Sequence, residues 1–373
     1  MTDLSSRRKF MQEALNAARQ TSARVSPNPR VGAVLVKGDK IIARGWHNGP
    51  GTAHAEVMAI HAAGPAVAGS TLYVTLEPCN HFGRTPPCTK AIIEAGISKV
   101  HVALSDPNPQ VFGRGTARLR QAGIDVIYDD EARDDAAELN RPYLTWMTKH
   151  RPWVMLKTAQ SLDGKVASSF GESQYISGPK ALSYVHDLRG DSDAILVGVA
   201  TIIADNPQLT CRGASDRPDP LRVILDTHGR TPPTSRVCNQ SSSDPTWIYT
   251  SDKSPEEWRK AMTNRDVRVI TVPTLNNRID LPEVIRDLAD HGIQSLMVEG
   301  GPMVHAGFIA IGLVDEWQTV ISPIVLGGNG PGAVGGLGFH LSQAPLFRIH
   351  KITPLDRDML IVARPVEDPR ALA

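Results

Sequence analysis

The residues best equipped for chemistry lie between positions 54 and 88. His54-Ala55-Glu56 is followed by Pro78-Cys79 and then by Cys88. One imidazole and two thiolates form a ligand set for zinc, and three protein ligands leave the fourth position open to water. Zinc lowers the pKa of that water and makes it a nucleophile at neutral pH. A carboxylate that is not a ligand must then carry the proton to a departing amine. Glu56, two residues after the histidine and in the first turn of a helix, can face the same cavity. The H-x-E…P-C-x-x-C signature of zinc deaminases has this logic. Here residues 80–87 separate the cysteines, a longer gap than the signature has, and His81 inside that insert is a competing ligand. Taken singly, His54 reads as a surface or core histidine and the cysteines as buried thiols. Taken together, with a strand leading into Pro78, they read as a metal centre.

Alternating strands and helices must position these groups. The spacing predicts a helix near 7–20, a loop at Ser26-Pro27-Asn28-Pro29, and a hairpin of Val31–Val36 with Lys40–Trp46 through Gly38-Asp39. Helices follow at 54–63, 88–96 and 114–122, with strands at Thr71–Leu76, Val100–Ser105 and Asp125–Tyr128. This is an α/β layered domain. A charged helix from Glu131 to Lys149 ends at His150-Arg151-Pro152, where proline stops it. The expected domains are therefore 1–149 and 150–373.

A second alternation begins with strand Trp153–Thr158, and Asp163-Gly164 reads as a hairpin turn. A helix is expected at 179–189, with strands at Ala194–Val199, Leu221–Asp226, Trp247–Thr250 and Val267–Val272. Leu296–Glu299 is a strand that runs into Gly300-Gly301 and a helix at 302–311. Glu316–Ile324 and Met359–Arg364 form a late antiparallel portion, with a Gly-rich loop at 327–338 between them. No G-x-G-x-x-G follows a strand, so an ordinary Rossmann site is unsupported. The Gly-Gly turn reads either as a plain tight turn or as bare backbone that meets a phosphate at a helix N-terminus.

Composition narrows the function. The chain has 373 residues, 41% apolar and 21% charged, enough to build two cores. Lys plus Arg number 40 and Asp plus Glu 39, so no global field draws polyanions. That counts against a nucleic-acid-editing deaminase. Four cysteines make no disulfide scaffold and suit a reducing, cytoplasmic setting. No apolar run is long enough to span a membrane.

The stretches Thr75-Leu76-Glu77-Pro78-Cys79, Gly83-Arg84-Thr85-Pro86-Pro87-Cys88 and Ser105-Asp106-Pro107-Asn108-Pro109 resemble the bifunctional deaminase/reductase family of riboflavin biosynthesis, as does Pro27-Asn28-Pro29-x-Val31-Gly32-Ala33. The long cysteine gap is typical of that family. Leu156-Lys157-x-Ala159-x-Ser161-Leu162-Asp163-Gly164, Asp193–Gly198 and Ala204–Arg212 extend the resemblance into the second half. It implies a cytidine-deaminase-like three-layer domain followed by a dihydrofolate-reductase-like domain. The first would use Zn²⁺ on His54, Cys79 and Cys88, with Glu56 catalytic, to remove the 2-amino group of 2,5-diamino-6-ribosylamino-4(3H)-pyrimidinone 5′-phosphate. The second would use NADPH to reduce the ribosyl chain, giving 5-amino-6-(5-phosphoribitylamino)uracil.

By the same resemblance, Asn28, His47 and Asp106 contact the ribotide in the first site. Ala159, Tyr175, Thr201, Asp205 and Thr227 line NADPH, and the turn Gly301, Pro302, Met303, Val304, His305, Ala306 and Gly307 binds its phosphates. Ser173, Arg189, Leu209, Arg212, Glu299 and Lys157 face the substrate. Guanidinium forks at Arg189 and Arg212 suit a ribose 5-phosphate. Leu182 stands where the family often has Arg, and Tyr175 where it often has Trp. A homo-oligomer is expected, with no nucleic-acid or membrane partner. The competing reading makes the second half a non-catalytic dimerisation module.

Overall fold

The computed structural model describes residues 4–21, 25–174, 176–213, 217–239 and 245–366. The chain divides into two compact units, Met1–His150 and Arg151–Ala373.

In the first unit the elements run α1 (Leu4–Ala18), β1 (Gly32–Lys37), β2 (Lys40–Trp46), α2 (Ala55–Ala63), β3 (Thr71–Val74), α3 (Cys88–Glu94), β4 (Lys99–Val102), α4 (Arg114–Gln121), β5 (Asp125–Tyr128), α5 (Arg133–Leu139) and α6 (Arg141–Lys149). The sheet order is β2-β1-β3-β4-β5. β1 is antiparallel to β2 and β3, whereas β3, β4 and β5 are parallel. Both faces of the sheet are covered. Ala55, Ala59, Ile92 and Leu119 bring α2, α3 and α4 onto one face. Phe10, Met11, Leu15 and Tyr143 bring α1 and α6 onto the other. The result is the three-layer arrangement that a strand buried on both faces requires.

The single charged helix expected from Glu131 to Lys149 is two helices. Asn140 breaks it. Its side chain accepts from the Arg30 N–H at 2.7 Å and donates to the Arg30 carbonyl at 3.0 Å. Pro142 then sits in the first turn of α6, where its missing N–H costs nothing.

In the second unit the elements run β6 (Trp153–Ser161), α7 (Pro179–Asp191), β7 (Ala194–Gly198), α8 (Val199–Asp205), β8 (Leu221–Leu225), β9 (Thr246–Thr250), α9 (Glu256–Thr263), β10 (Val267–Thr271), a short β11 (Thr274–Leu275) and β12 (Arg278–Ile279), α10 (Leu281–Asp290), β13 (Ser295–Gly300), α11 (Pro302–Ala310), β14 (Glu316–Ser322), β15 (Phe347–Leu355) and β16 (Asp358–Pro365). Nine strands form one sheet in the order β10-β9-β8-β7-β13-β6-β14-β16-β15. From β10 to β14 every neighbour is parallel, and the β14-β16-β15 end is antiparallel. β7 is buried along its whole length, as a central parallel strand must be, while β14 alternates buried and half-buried residues. Arg151 anchors the start of the unit through a two-pronged pair with Asp315 at 2.5 and 2.7 Å, and Asp315 also accepts the Val154 N–H at 2.8 Å.

The topology leaves one switch point. From β7 the chain moves outward through β8, β9 and β10, then returns as β13 between β7 and β6. In parallel sheets, ligands bind beyond the carboxyl ends of the strands where the order reverses.

Candidate active sites

In the first unit, His54 holds extended backbone just before α2, so Glu56 falls in the helix's first turn. Cys79 lies in the segment leaving β3. Pro87 keeps the chain extended up to Cys88, which begins α3. The three ligand atoms lie within 4.8 Å of one another. His54 Nδ1 is 3.0 Å from Cys88 Sγ and 3.6 Å from Cys79 Sγ. A tetrahedral zinc with nitrogen at about 2.0 Å and sulfur at about 2.3 Å separates those atoms by about 3.5 Å, so the donor set fits the ion. His54 Nε2 faces Thr85 Oγ1 at 3.2 Å, a partner that fixes the ring and leaves Nδ1 for the metal. His81 lines the same cavity but is not among the clustered donors.

The electrostatics of the cluster are asymmetric. The hydrogen bond from Cys88 draws the Cys79 thiol well below its ordinary pKa, and the same bond pushes Cys88 up. Glu56 is buried, and burial raises its pKa against the pull of His54.

Glu77, just before the candidate ligand Cys79, is a clamp. Its carboxylate accepts the N–H groups of Gly113 and Thr116 at 3.1 and 3.2 Å, capping α4. This brings α4 so close that a Cβ on Gly115 would lie 1.8 Å from the Pro78 carbonyl oxygen. The motif Gly113-Arg114-Gly115 thus serves close packing under the cysteine loop.

A cavity of about 330 Å³ opens beside the candidate metal ligands, lined by Asn28, His47, Glu56, Arg84, Asp106 and Tyr143 among others. His47 donates from Nδ1 to the Ala53 carbonyl at 3.2 Å and accepts from Asn28 Nδ2 at 2.9 Å. Burial lowers its pKa, which favours that neutral form. Asp106 accepts from the Tyr143 hydroxyl at 2.7 Å and from the Asn108 N–H at 2.9 Å. Burial nevertheless holds its pKa above the ordinary carboxylate value. The sequence brings Asn28, His47 and Asp106 forward, and all three meet in this cavity. Tyr143, Thr85 and Arg84 also line the cavity, and none of them was among the site residues expected from the sequence. Only Thr85 and Arg84 carried a local signal, as polar residues in the ligand loop.

In the second unit the expected cofactor residues gather at the carboxyl ends of the strands. Ala159 is on β6, Thr201 and Asp205 on α8 after β7, Thr227 just after β8, and residues 301–307 after β13. A Cβ on Gly301 would stand 3.4 Å from Thr201 Oγ1, which places the two turns side by side across the switch point. Ser173 donates to Asp205 at 2.9 Å. Tyr175 lies outside the described residues. Val304 packs against the core and His305 is buried with Nδ1 on the Ala333 carbonyl at 2.9 Å, so the turn offers a ligand its backbone rather than these side chains. Leu209 is buried among Ile195, Ile202 and Val237, and its side chain serves packing.

Arg189 makes a bidentate pair with Glu299, at 2.9 and 2.7 Å. Burial pushes the Glu299 carboxyl up, but Arg189 and Lys157 outweigh it and hold the pKa below the ordinary value. Burial lowers the Lys157 pKa against the pull of Glu299. Arg212 donates to Gln208 and Thr210 at 2.8 and 2.9 Å, and its backbone N–H bonds His186 Nδ1 at 3.1 Å. His186 was not anticipated, although its spacing of three from Arg189 on α7 puts both on one helix face.

The first unit thus has the layers and donor set of a zinc deaminase, joined to an α/β unit with its polar cluster at a sheet switch point. Residues 4–104 match the family model described as the cytidine and deoxycytidylate deaminase zinc-binding region, and residues 152–361 match the RibD C-terminal domain. The riboflavin biosynthesis protein RibD of Bacillus amyloliquefaciens is 41% identical over 95% of both chains. That of Escherichia coli is 37% identical over 94% of this chain and 97% of its own. A solved Thermotoga maritima protein, titled a diaminohydroxyphosphoribosylaminopyrimidine deaminase/5-amino-6-(5-phosphoribosylamino)uracil reductase, superposes with a TM-score of 0.86 at 36% identity, covering 97% of this chain and 99% of that one. Acinetobacter baumannii RibD gives 0.87 at 34% identity, covering 98% and 100%. The chain belongs to the RibD family of riboflavin biosynthesis proteins, enzymes that combine a zinc-binding deaminase domain with a reductase domain.

Proposed function

We propose that the chain performs two successive steps on one pyrimidine ribotide, with the active units divided near residue 150. The first unit removes the 2-amino group of 2,5-diamino-6-ribosylamino-4(3H)-pyrimidinone 5′-phosphate by hydrolysis. The second reduces the ribosyl chain with NADPH to give 5-amino-6-(5-phosphoribitylamino)uracil. One observation carries the reading: His54, Cys79 and Cys88 converge beside a buried carboxyl in a cavity of small-ligand size.

When bound, zinc supplies Lewis-acid activation of water. His54, Cys79 and Cys88 hold the ion, and Thr85 holds the imidazole. Glu56 accepts the proton from water and returns it to the departing amine, a role suited to a carboxyl whose pKa burial raises. Asn28, His47 and Asp106 bind the ring or ribose, and Arg84 supplies a cation for the phosphate.

In the second unit NADPH supplies the hydride. Ala159, Tyr175, Thr201, Asp205, Thr227 and the backbone of 301–307 bind it. Lys157 and Glu299 hold the end of the substrate that receives the hydride at C1′. Arg189, Arg212, Ser173 and the backbone of Leu209 face its phosphate side. Arg212 is exposed with donors to spare, and Arg189 neutralises Glu299.

Among the described residues no helix is long and apolar enough to cross a membrane. The reading is completed by a cytoplasmic setting, consistent with four free cysteines, and by no nucleic-acid partner, consistent with near-neutral charge. A homo-oligomer would cover the edge strand β15, whose Ile349 and Ile352 are exposed.

The test supplies the ribotide and follows ammonia and NADPH separately. Ammonia release should need zinc, and NADPH oxidation should need the deaminated intermediate. Folded chain that leaves NADPH untouched when given that intermediate would sink the reductase half. Cys79→Ser and Cys88→Ser variants still fully loaded with zinc would overturn the ligand set.

A further inference from the structure

The Gly-rich segment after β14 has no place in either step, and Asp163 reads from sequence as a mere turn residue. The two belong to one device. Asp163 accepts the Leu326 N–H at 3.1 Å and the Gly327 N–H at 2.8 Å, one on each carboxylate oxygen. It also accepts the Ser161 hydroxyl at 2.6 Å. These partners pull its pKa to about 2, so the clamp is ionised at any working pH.

From this anchor the segment runs back along residues 162–169. The Leu162 N–H donates to the Ile324 carbonyl at 2.8 Å and the Val166 N–H to the Pro331 carbonyl at 2.9 Å. A Cβ on Gly330 would fall 2.2 Å from the Ala167 carbonyl oxygen, so only glycine allows this approach. The segment then reaches the turn after β13. The Gly335 N–H donates to the Pro302 carbonyl at 2.9 Å, and His305 Nδ1 donates to the Ala333 carbonyl at 2.9 Å. A Cβ on Gly335 would stand 2.9 Å from the Met303 sulfur.

Residues 324–335 are thus a strap, fixed at one end by Asp163 and at the other to the first turn of α11. We propose that Asp163 is a positioning residue of the reductase: through the strap it sets the backbone of the 301–307 turn for the cofactor's phosphates. The inference rests on the reading that this turn takes NADPH. A phosphate cradle built from backbone N–H groups has no side chain to adjust, so its support decides its precision.

The test uses the full chain carrying Asp163→Asn, which keeps the shape and loses the charge and one acceptor. NADPH is titrated in the absence of substrate, followed by its fluorescence. Its affinity should fall roughly tenfold, as expected for two weakened charge-assisted bonds. In turnover, KM for NADPH should rise by a similar factor while kcat and the deaminase rate stay unchanged. Wild-type NADPH affinity in a folded variant overturns the proposal. So does a loss confined to kcat, which would put Asp163 in the chemistry. Should the Asn variant lose the near-ultraviolet circular dichroism of the reductase unit, Ser161→Ala decides by the same titration. It removes one bond to the carboxylate together with the acceptor of the Lys165 N–H at 2.9 Å in the same turn; a few-fold weakening supports the strap, and wild-type affinity overturns it. Failure of the wild-type chain to bind NADPH is a different result and defeats the reading of the turn itself.

Discussion

Two glutamates, one in each unit, are withdrawn from solvent and lean in opposite directions. Glu56 is 3% exposed with no salt-bridge partner among the described residues, and burial raises its pKa against the pull of His54. The Glu299 side chain is 10% exposed, yet Arg189 grips both its oxygens and Lys157 lies close enough to assist, so its pKa falls. Burial alone does not assign a carboxyl its role; its neighbours do. A carboxyl that is free to gain a proton can carry one between water and an amine. A carboxylate held ionised can orient a cation and a substrate, and it gives up its charge at a large cost.

The largest expected effect breaks the first half of that contrast. Glu56→Gln keeps the side-chain volume and removes the proposed proton carrier. Ammonia release should fall by about 10²–10⁴-fold, the range of general acid–base catalysis. Metal analysis should still find zinc, and reduction of the deaminated substrate should proceed at the normal rate. A variant that deaminates normally removes Glu56 from its role.

Glu299→Gln addresses the second half. The substitution leaves the half-buried Arg189 guanidinium without its counter-charge, and the stability cost should approach the ~3–5 kcal/mol of a fully buried pair. Reductase kcat/KM should also drop by roughly tenfold to 10²-fold, as expected for the loss of a charge-assisted contact to the substrate. The sign of the pH effect follows from Lys157. Burial already lowers its pKa, and Glu299 opposes that shift. Without Glu299 the ammonium is lost at lower pH, so the alkaline limb of reductase activity should move down. An unmoved limb would mean that Lys157 and Glu299 act independently.

The parts of both sites that were legible in the sequence are those whose chemistry dictates residue type and spacing. His54, Glu56, Cys79 and Cys88 are readable because zinc demands particular donors and the folds that deliver them are short and local. Arg212 lies in a matching stretch, and the resemblance brought Arg189 and Glu299 forward by position, but the pairing of these two across 110 positions was not visible. The split of the charged helix at Asn140 was hidden for the same reason, since the partner that bends the chain there is Arg30. β15 escaped because it is an exposed edge strand, with no alternation of burial to mark it. α10 did carry a signal, the apolar spacing of Val284, Ile285 and Leu288, and could have been placed. Val304, His305 and Leu209 sit in matching motifs, yet their side chains serve packing. A motif locates a segment without saying which of its atoms face the ligand.

The smallest expected effect tests whether proton transfer and substrate holding are separate within the first cavity. Tyr143 came from no motif; it reaches Asp106 from α6 across 37 positions with a 2.7 Å bond. Tyr143→Phe leaves the ring in its buried cluster and deletes only the hydroxyl. Asp106 would keep the Asn108 N–H, so the variant should fold with a loss of about 1 kcal/mol. The Tyr143 bond works against the burial that raises the Asp106 pKa. Its removal should raise that pKa further, so Asp106 protonates at higher pH. KM for the ribotide should therefore rise by roughly threefold to tenfold at neutral pH, and its acid-side increase should begin at higher pH than in the wild type. The turnover rate at saturation should stay near normal if, as proposed, Asp106 orients the substrate while Glu56 moves the proton. A fall in kcat comparable to that of Glu56→Gln, with KM unchanged, would place Asp106 in the proton path, and the cavity would then hold two proton carriers instead of one.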